Sequence, residues 1–313
     1  MGRHVAGCMP EMDRLVDEAC VGIGAAVEAA NVPRLAGVVL GGGYGRGEGG
    51  VRGSLLSNDL DFFAITETGA SAAEIAGVSR ALEPISQDWT ARLGIDVDFT
   101  VRTPWRIRHD QDRLMIQELL HGYFDVAGVK GEVLFAGVAR KEPSEFPWME
   151  AARLLMNRGM GLLFAKEEGR GEKGDFVARN INKCVLGAGD ARLIARHAYR
   201  WRAEERAEAI GDDLYSAAVE WKFRPSERAV CDWETAREAW LKALDYVGGE
   251  SGRFGSDRTL FSAVRWIVRR RTLGNIRSLG KDPVVRVLEC VGRHVRERTL
   301  PCASLRRDWE IFN

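Results

Sequence analysis

Two strand-length runs, residues 35–40 and 59–66, bracket a glycine-rich tract over residues 41–53, and no other feature limits the possible folds of this chain as sharply. The first run, LAGVVL, stops at consecutive glycines, where the backbone is freed of Cβ restrictions and can turn closely against another group. The second run spaces Asp59 and Asp61 two residues apart. On a strand both carboxylates then leave one face, while Leu60 and Phe62 leave the other toward a core. A third run, residues 95–101, alternates Ile, Val and Phe with Asp96, Asp98 and Thr100, which is strand periodicity again. Helical patterns surround these runs. Leu15, Ala19, Ile23 and Val27 recur every four positions within residues 10–30, with Pro33 beyond the end. Residues 71–93 also read as helical, with a break expected at Pro84. The order helix, strand, glycine loop, strand, helix, strand describes a small α/β unit.

Beyond about residue 104 the signal is almost wholly helical. Leu114, Ile116, Leu119 and Leu120 fit one helix, limited by Gly122 and Gly128. Residues 141–147, KEPSEFP, hold two prolines and form the best linker. Helices are expected over residues 154–166, 176–185, 191–206, 217–223, 234–246, 260–271 and 284–296, separated by glycine or polar breaks. The fold class is therefore α/β (α+β): a mixed sheet in residues 1–140, followed by an all-helical domain in residues 141–313. Trp201, Trp221, Trp233, Trp240 and Trp266 fall on helical segments and are expected to anchor helix packing.

The chain holds 45 Lys and Arg against 45 Asp and Glu, a formal net charge of zero. That balance argues against a protein whose main task is gripping nucleic acid, which needs excess cations to displace counterions. Residues 251–313 hold 14 basic against 6 acidic residues, and the commoner reading of such an end is a solvated helical surface. Cys8, Cys20, Cys184, Cys231, Cys290 and Cys302 include no C-x-x-C pair, and the five histidines are scattered, which argues against a zinc site. Residues 1–14 lack an apolar run of signal-peptide type, and no stretch approaches the ~18 apolar residues of a membrane span. The expectation is a soluble protein of a reducing, cytoplasmic compartment with no membrane partner.

Chemistry concentrates in Gly42-Gly43-Tyr44-Gly45-Arg46-Gly47-Glu48 and in the acids that follow it. A strand ending in glycines lets the backbone approach a bulky anion, and the N–H groups of a helix opening near Gly43 would face that anion. Arg46 can add a cation to a phosphate oxygen. Asp59 and Asp61 side by side repel one another unless a dication lies between them. Mg²⁺ takes one or two carboxylates together with substrate phosphates. A third acid on the neighbouring strand, Asp98 or Asp96, would complete a two-metal clamp for in-line attack at phosphorus.

This combination resembles the polymerase-beta-type nucleotidyltransferase superfamily, and in motif the N-terminal domains of PII uridylyltransferases and glutamine synthetase adenylyltransferases. Residues 96–102, DVDFTVR, are similar to the third-carboxylate strand of the adenylyltransferases. The resemblance implies that Gly42, Gly43, Tyr44, Gly45 and Arg46 bind the nucleotide. It implies that Asp59, Asp61 and Asp98 are the catalytic metal ligands, with Asp98 preferred to Asp96 and acting as the base. Two Mg²⁺ ions (or Mn²⁺) would be the cofactors and an NTP the co-substrate. The gap between Arg46 and Asp59 is longer than usual for the family, so residues 47–57 read either as a lid over the nucleotide or as a harmless insertion. In the helical part Arg179, Lys183, Asp190 and Tyr199 are candidates, with Lys183 placed where such enzymes commonly reach the triphosphate.

Residues 45–50 also match G-x-G-x-x-G, but a dinucleotide fingerprint wants one ribose-binding acid at the end of the next strand rather than a paired Asp-x-Asp at its start. The expected activity is transfer of a nucleoside monophosphate, AMP or UMP, to a hydroxyl of a small molecule or a protein. The alternatives are a catalytically silent NTP-binding signalling module and an RNA-end nucleotidyltransferase.

Overall fold

A computed structural model describes residues 2–7, 9–169, 174–250 and 282–312. They divide into two compact units, Met1–Glu142 with Lys222–Pro225, and Pro143–Trp221 with Ser226–Asn313. In chain order the first unit holds α1 (Pro10–Ala30), β1 (Leu35–Leu40), a short helical turn α2 (Gly42–Gly45), β2 (Val51–Arg52), β3 (Leu55–Leu56), β4 (Leu60–Thr66), α3 (Ala72–Leu93), β5 (Val97–Arg102), α4 (Pro104–His109), α5 (Leu114–His121), β6 (Phe124–Gly128) and α6 (Gly131–Leu134).

Four of these strands form one mixed sheet in the order β5-β4-β1-β6. β1 pairs antiparallel with β4 and with β6, and β4 pairs parallel with β5. Side-chain alternation splits the core into two layers. Val38, Leu40, Leu60, Phe62, Ala64 and Val97 pack with Val16, Ile23 and Leu82 of α1 and α3 on one face. Val39, Phe63 and Ile65 pack on the other face with Ile107, Ile116, Leu119 and Leu120 of α4 and α5. Asp61 shares the parity of Phe63 and Ile65, so it belongs to the second face.

Two expectations need correction in this unit, and one element was not foreseen. α3 runs unbroken through Pro84. Its first turn is held by a capping box between Ser71 and Glu74, and β5 is tied to it where Ser86 donates to the Val97 carbonyl at 2.6 Å and Val97 N–H donates to Thr90 Oγ1 at 3.0 Å. These contacts hold the helix together at the residue that removes one backbone donor. β6 lies where only helix was expected; it is a short edge strand whose pairing with β1 a local pattern cannot show. The glycine tract contains the small antiparallel hairpin of β2 and β3.

The regular elements of the second unit are all helices among its described residues: α7 (Trp148–Glu168), α8 (Gly174–Ala195), α9 (Ala203–Ile210), α10 (Asp213–Phe223, its last two residues counted with the first unit), α11 (Trp233–Glu250), α12 (Pro283–Glu297) and α13 (Ala303–Glu310), after a 3₁₀ turn at Pro143–Glu145. The stretch proposed as a linker is anchored, because Phe146 is fully buried against Tyr199 and Trp201 with ring centroids 5.6 Å from each. Tryptophans staple helix to helix. Trp240 Nε1 donates to the Leu155 carbonyl at 3.0 Å, Trp233 to Leu162 at 2.9 Å, and Trp148 to Val247 at 2.8 Å, all joining α11 to α7. Arg237 donates to the carbonyls of Val295 and Arg296 at 2.8 Å each and so caps the end of α12.

Two helices expected over 176–185 and 191–206 are one helix that stops at Ala195. Gly189 inside it is a packing position: a Cβ there would lie 2.3 Å from the Tyr215 ring, so the glycine lets α10 approach rather than ending α8. His197, with φ of 56°, turns the chain after α8. The helix expected over 260–271, Trp266 and most of the basic C-terminal stretch lie outside the described residues. No described helix is long and apolar enough to cross a membrane.

Candidate active site

Asp61 sits at the second position of β4 and is the register partner of Asp98 across the parallel β4–β5 pair. Neighbouring strands place such partners about 4.8 Å apart with side chains on the same face. Asp59 and Asp96 each stand one residue before their strands, and the Asp96 carbonyl accepts from Leu60 N–H at 2.9 Å. The acids therefore gather at one end of two adjacent strands. Leu60 and Phe62 are fully buried on the opposite face. The electrostatic consequence falls on Asp98. Its partial burial, and then the charges of Asp59, Asp96 and Glu83, hold its carboxyl above the ordinary value.

The glycine turn lies against this group. Gly41 N–H donates to the Asp61 carbonyl at 2.8 Å, and the next residue, Gly42, has φ of +62°. A Cβ on Gly42 would fall 2.1 Å from Asp61 Oδ2, so both the conformation and the space demand glycine. Gly43 is different: a Cβ there would meet nothing nearer than the Glu48 carbonyl oxygen at 3.5 Å. Gly45 closes the turn with its N–H on the Gly41 carbonyl at 2.8 Å.

Tyr44 is fully buried. Its hydroxyl donates to the Gly50 carbonyl at 2.8 Å and accepts from the N–H groups of Ser57 and Asn58 at 3.2 and 3.4 Å. Burial, with the charge of Asp59 adding, pushes the phenol up to about 12, so it stays protonated and keeps donating. The Tyr44 side chain thus organises the loop that leads into Asp59. Replacing Tyr44 with Phe removes these bonds inside a buried pocket and should destabilise the first unit by about 1–3 kcal/mol. Urea unfolding would read that loss, and limited proteolysis should show faster cleavage within residues 47–57.

Those residues are pinned at several further points. The hairpin of β2 and β3 folds them back, and Gly49 forms a parallel bridge with Val5. His4, almost fully buried, has Nε2 3.0 Å from Asp17 Oδ1 and Nδ1 3.3 Å from the Tyr44 carbonyl oxygen. Asp13 accepts the backbone N–H groups of Arg3, His4 and Val5 at 2.7–3.0 Å. The N-terminal segment is thereby a strap on the glycine loop, a role that local sequence pattern does not signal.

Arg46 lies between two carboxylates, with Nε 3.9 Å from Glu48 Oε2 and Nη1 3.4 Å from Glu118 Oε2. Glu48 is buried and also pairs with the ammonium of Lys222. Glu48 appears within the glycine motif, but Glu118 and Lys222 carry no sequence signal that would link them to it. Lys183 belongs to the second unit, half-buried on α8. Of the other candidates there, Asp190 forms an ion pair with Arg206 at 2.9 Å and accepts from the Tyr215 hydroxyl at 2.5 Å, while the Tyr199 ring faces the Arg206 guanidinium at 5.0 Å. Arg206 also donates to the carbonyls of Arg200 and Trp201, so this cluster ties α8, α9 and α10 together.

Among the described residues no three His, Cys, Asp or Glu side chains form a ready-made metal cage. No model of a known protein family matches the chain, and no curated protein matches it.

Proposed function

We propose that the chain is a metal-dependent nucleotidyltransferase of polymerase-beta type, moving a nucleoside monophosphate, AMP or UMP, from an NTP to a hydroxyl of a small molecule or a protein. The observation that supports this reading best is the pairing of Asp61 with Asp98 across β4 and β5, with the Gly42 backbone lying directly against the Asp61 carboxylate. The donor set suits Mg²⁺. It offers hard carboxylate oxygens, and Mg²⁺ is usually held by one or two carboxylates plus substrate phosphates rather than by an all-protein cage. The proton affinity of Asp98 is raised first by its burial and then by the neighbouring acids Asp59, Asp96 and Glu83, and a dication would offset that repulsion. Asp59, Asp61 and Asp98 would hold two such ions, which supply charge neutralisation at the attacking and leaving oxygens.

The remaining work falls to the chain itself. The turn Gly42–Gly45 would bring backbone rather than bulky side chains to the triphosphate, with Gly42 held by its positive φ and by the Asp61 carboxylate beside it. Arg46, paired with Glu48 and Glu118, ends that turn with its backbone N–H on the Gly43 carbonyl at 3.2 Å. Asp98, on the strand beside Asp61, is the residue that would take the proton of the incoming hydroxyl under this proposal. The acceptor surface and Lys183 belong to the helical unit under this proposal.

Metal dependence is the direct test. Pyrophosphate release from an NTP should stop on chelation with EDTA, return with Mg²⁺ or Mn²⁺, and return poorly with the larger Ca²⁺. An NTP that binds but never releases pyrophosphate under any of these metals would make the chain a silent binding module instead.

A further inference from the structure

One support of the glycine turn comes from far along the chain. Lys222–Pro225 belongs to the first unit, although most of α10 belongs to the second. There the Lys222 ammonium pairs with Glu48, which is 174 residues away in sequence and almost fully buried. The backbone is close as well. A Cβ on Gly50 would lie 2.6 Å from the Lys222 carbonyl oxygen and 2.2 Å from Asn58 Oδ1, so Gly50 leaves the gap that admits both. Asn58 leads directly into Asp59. Glu48 also stands inside a row of four charges. Glu118, Arg46, Glu48 and Lys222 alternate in sign, with Arg46 Nη1 3.4 Å from Glu118 and Nε 3.9 Å from Glu48. Arg46 is therefore closer to Glu118, and Lys222 is the nearer of the two cations to Glu48.

The row is tied to the turn through the backbone. The Gly43 carbonyl accepts two N–H groups, from Arg46 at 3.2 Å and from Glu48 at 2.8 Å. Two members of the row thus fix one peptide group, that between Gly43 and Tyr44. In a trans peptide the carbonyl and the following N–H point opposite ways, so fixing the Gly43 carbonyl also fixes the direction of the Tyr44 N–H. This peptide lies at the centre of Gly42–Gly45, where backbone N–H groups would face an anion. A buried carboxylate deprived of its near cation seeks another. Without Lys222, Glu48 would draw Arg46 away from Glu118, and the two N–H groups on the Gly43 carbonyl would move with them.

We propose that Lys222 is a positioning residue of the nucleotide site, holding the Gly43 peptide through Glu48. The proposal rests on the reading that this turn meets a triphosphate. Its test uses the full chain, Mg²⁺ and whichever of the four NTPs the wild type binds best, with titration calorimetry for Kd and steady-state rates for KM and kcat. Lys222→Met should raise Kd and KM by about tenfold, the scale of one charge-assisted hydrogen bond, and should hold kcat within about twofold. A contact that only stabilised the fold would instead inactivate a fraction of the molecules, lowering kcat and leaving KM as it was. Lys222→Arg keeps a cation beside Glu48 and should return Kd to near the wild-type value. Glu48→Gln guards against misfolding of Lys222→Met, because the freed ammonium can extend to water. It should raise Kd as Lys222→Met does. Wild-type Kd in both variants, or a raised Kd in Lys222→Met alone, would overturn the proposal, as would a fall in kcat at constant KM. In a protein that binds NTP without turnover, the Kd values alone decide it. A wild type that binds no NTP would refute the proposed function and this inference together, whereas wild-type binding with unchanged variants refutes the inference alone.

Discussion

Asp61→Asn should reduce nucleotidyl transfer by roughly three orders of magnitude or more, the scale on which one charge-stabilising group acts in phosphoryl transfer, with the fold unchanged. Asn has the shape of Asp, so the side chain still fits beside Gly42, where Asp61 Oδ2 lies closest. It cannot supply the anionic oxygen that a dication requires. Asp59→Asn should give a similar loss through the same route. That variant also removes one of the charges that raise the Asp98 proton affinity, so Asp98 should titrate nearer its ordinary value. Steady-state rates at saturating Mg²⁺, with circular dichroism as the control for folding, would measure both effects.

Gly42→Val should abolish activity by a different physical route, through the backbone. A φ of +62° costs a residue with a Cβ about 1–2 kcal/mol, and branching at Cβ adds to that. The new Cβ would also overlap Asp61 Oδ2, forcing the carboxylate or the turn to move. The variant should therefore unfold at lower urea concentration and lose transfer together. Gly43→Ala separates the two effects. It lies in the helical turn, has no positive φ and keeps 3.5 Å to its nearest neighbour, so the fold should tolerate it. If the triphosphate approaches this backbone, Gly43→Ala should still raise the nucleotide Kd by about tenfold, near 1.4 kcal/mol. An unchanged Kd in a stable Gly43→Ala protein would show that the phosphates lie elsewhere.

Much of the first unit was legible because its signals are local. The apolar run at residues 35–40, the Asp59–Leu60–Asp61–Phe62 alternation and the matching alternation after Ile95 each state which face a side chain takes. β1, β4 and β5 follow those statements. What the pattern could not state was pairing. The Asp61–Asp98 partnership is a property of register between strands some 35 residues apart, and β6 exists because the β1 edge accepts it. Pro84 and Gly189 misled for a related reason. A proline or glycine reads as a break when only its own backbone is considered, whereas here tertiary contacts hold α3 continuous and use Gly189 for close packing.

The candidate site divides the same way. The acids and glycines were visible as residue types at fixed spacing. The fates of Tyr44 and Arg46 were not, because burial and partners decide them: one became the strut of its own loop, and the other lies between Glu48 and Glu118. The strap formed by His4 and Val5 on the glycine loop joins residues some 40 positions apart, beyond the reach of periodicity.

One measurement bears most directly on the proposed activity. The protein is incubated with each of the four NTPs labelled at the α-phosphorus, with Mg²⁺ and a cell extract, and label retained on any small molecule or protein is identified by mass spectrometry. A nucleotidyltransferase should place the labelled monophosphate on a hydroxyl acceptor with one NTP preferred, and Asp61→Asn should leave that acceptor unlabelled. Labelling of equal extent with wild type and Asp61→Asn, or none with any NTP in the presence of Mg²⁺ or Mn²⁺, would contradict the assignment.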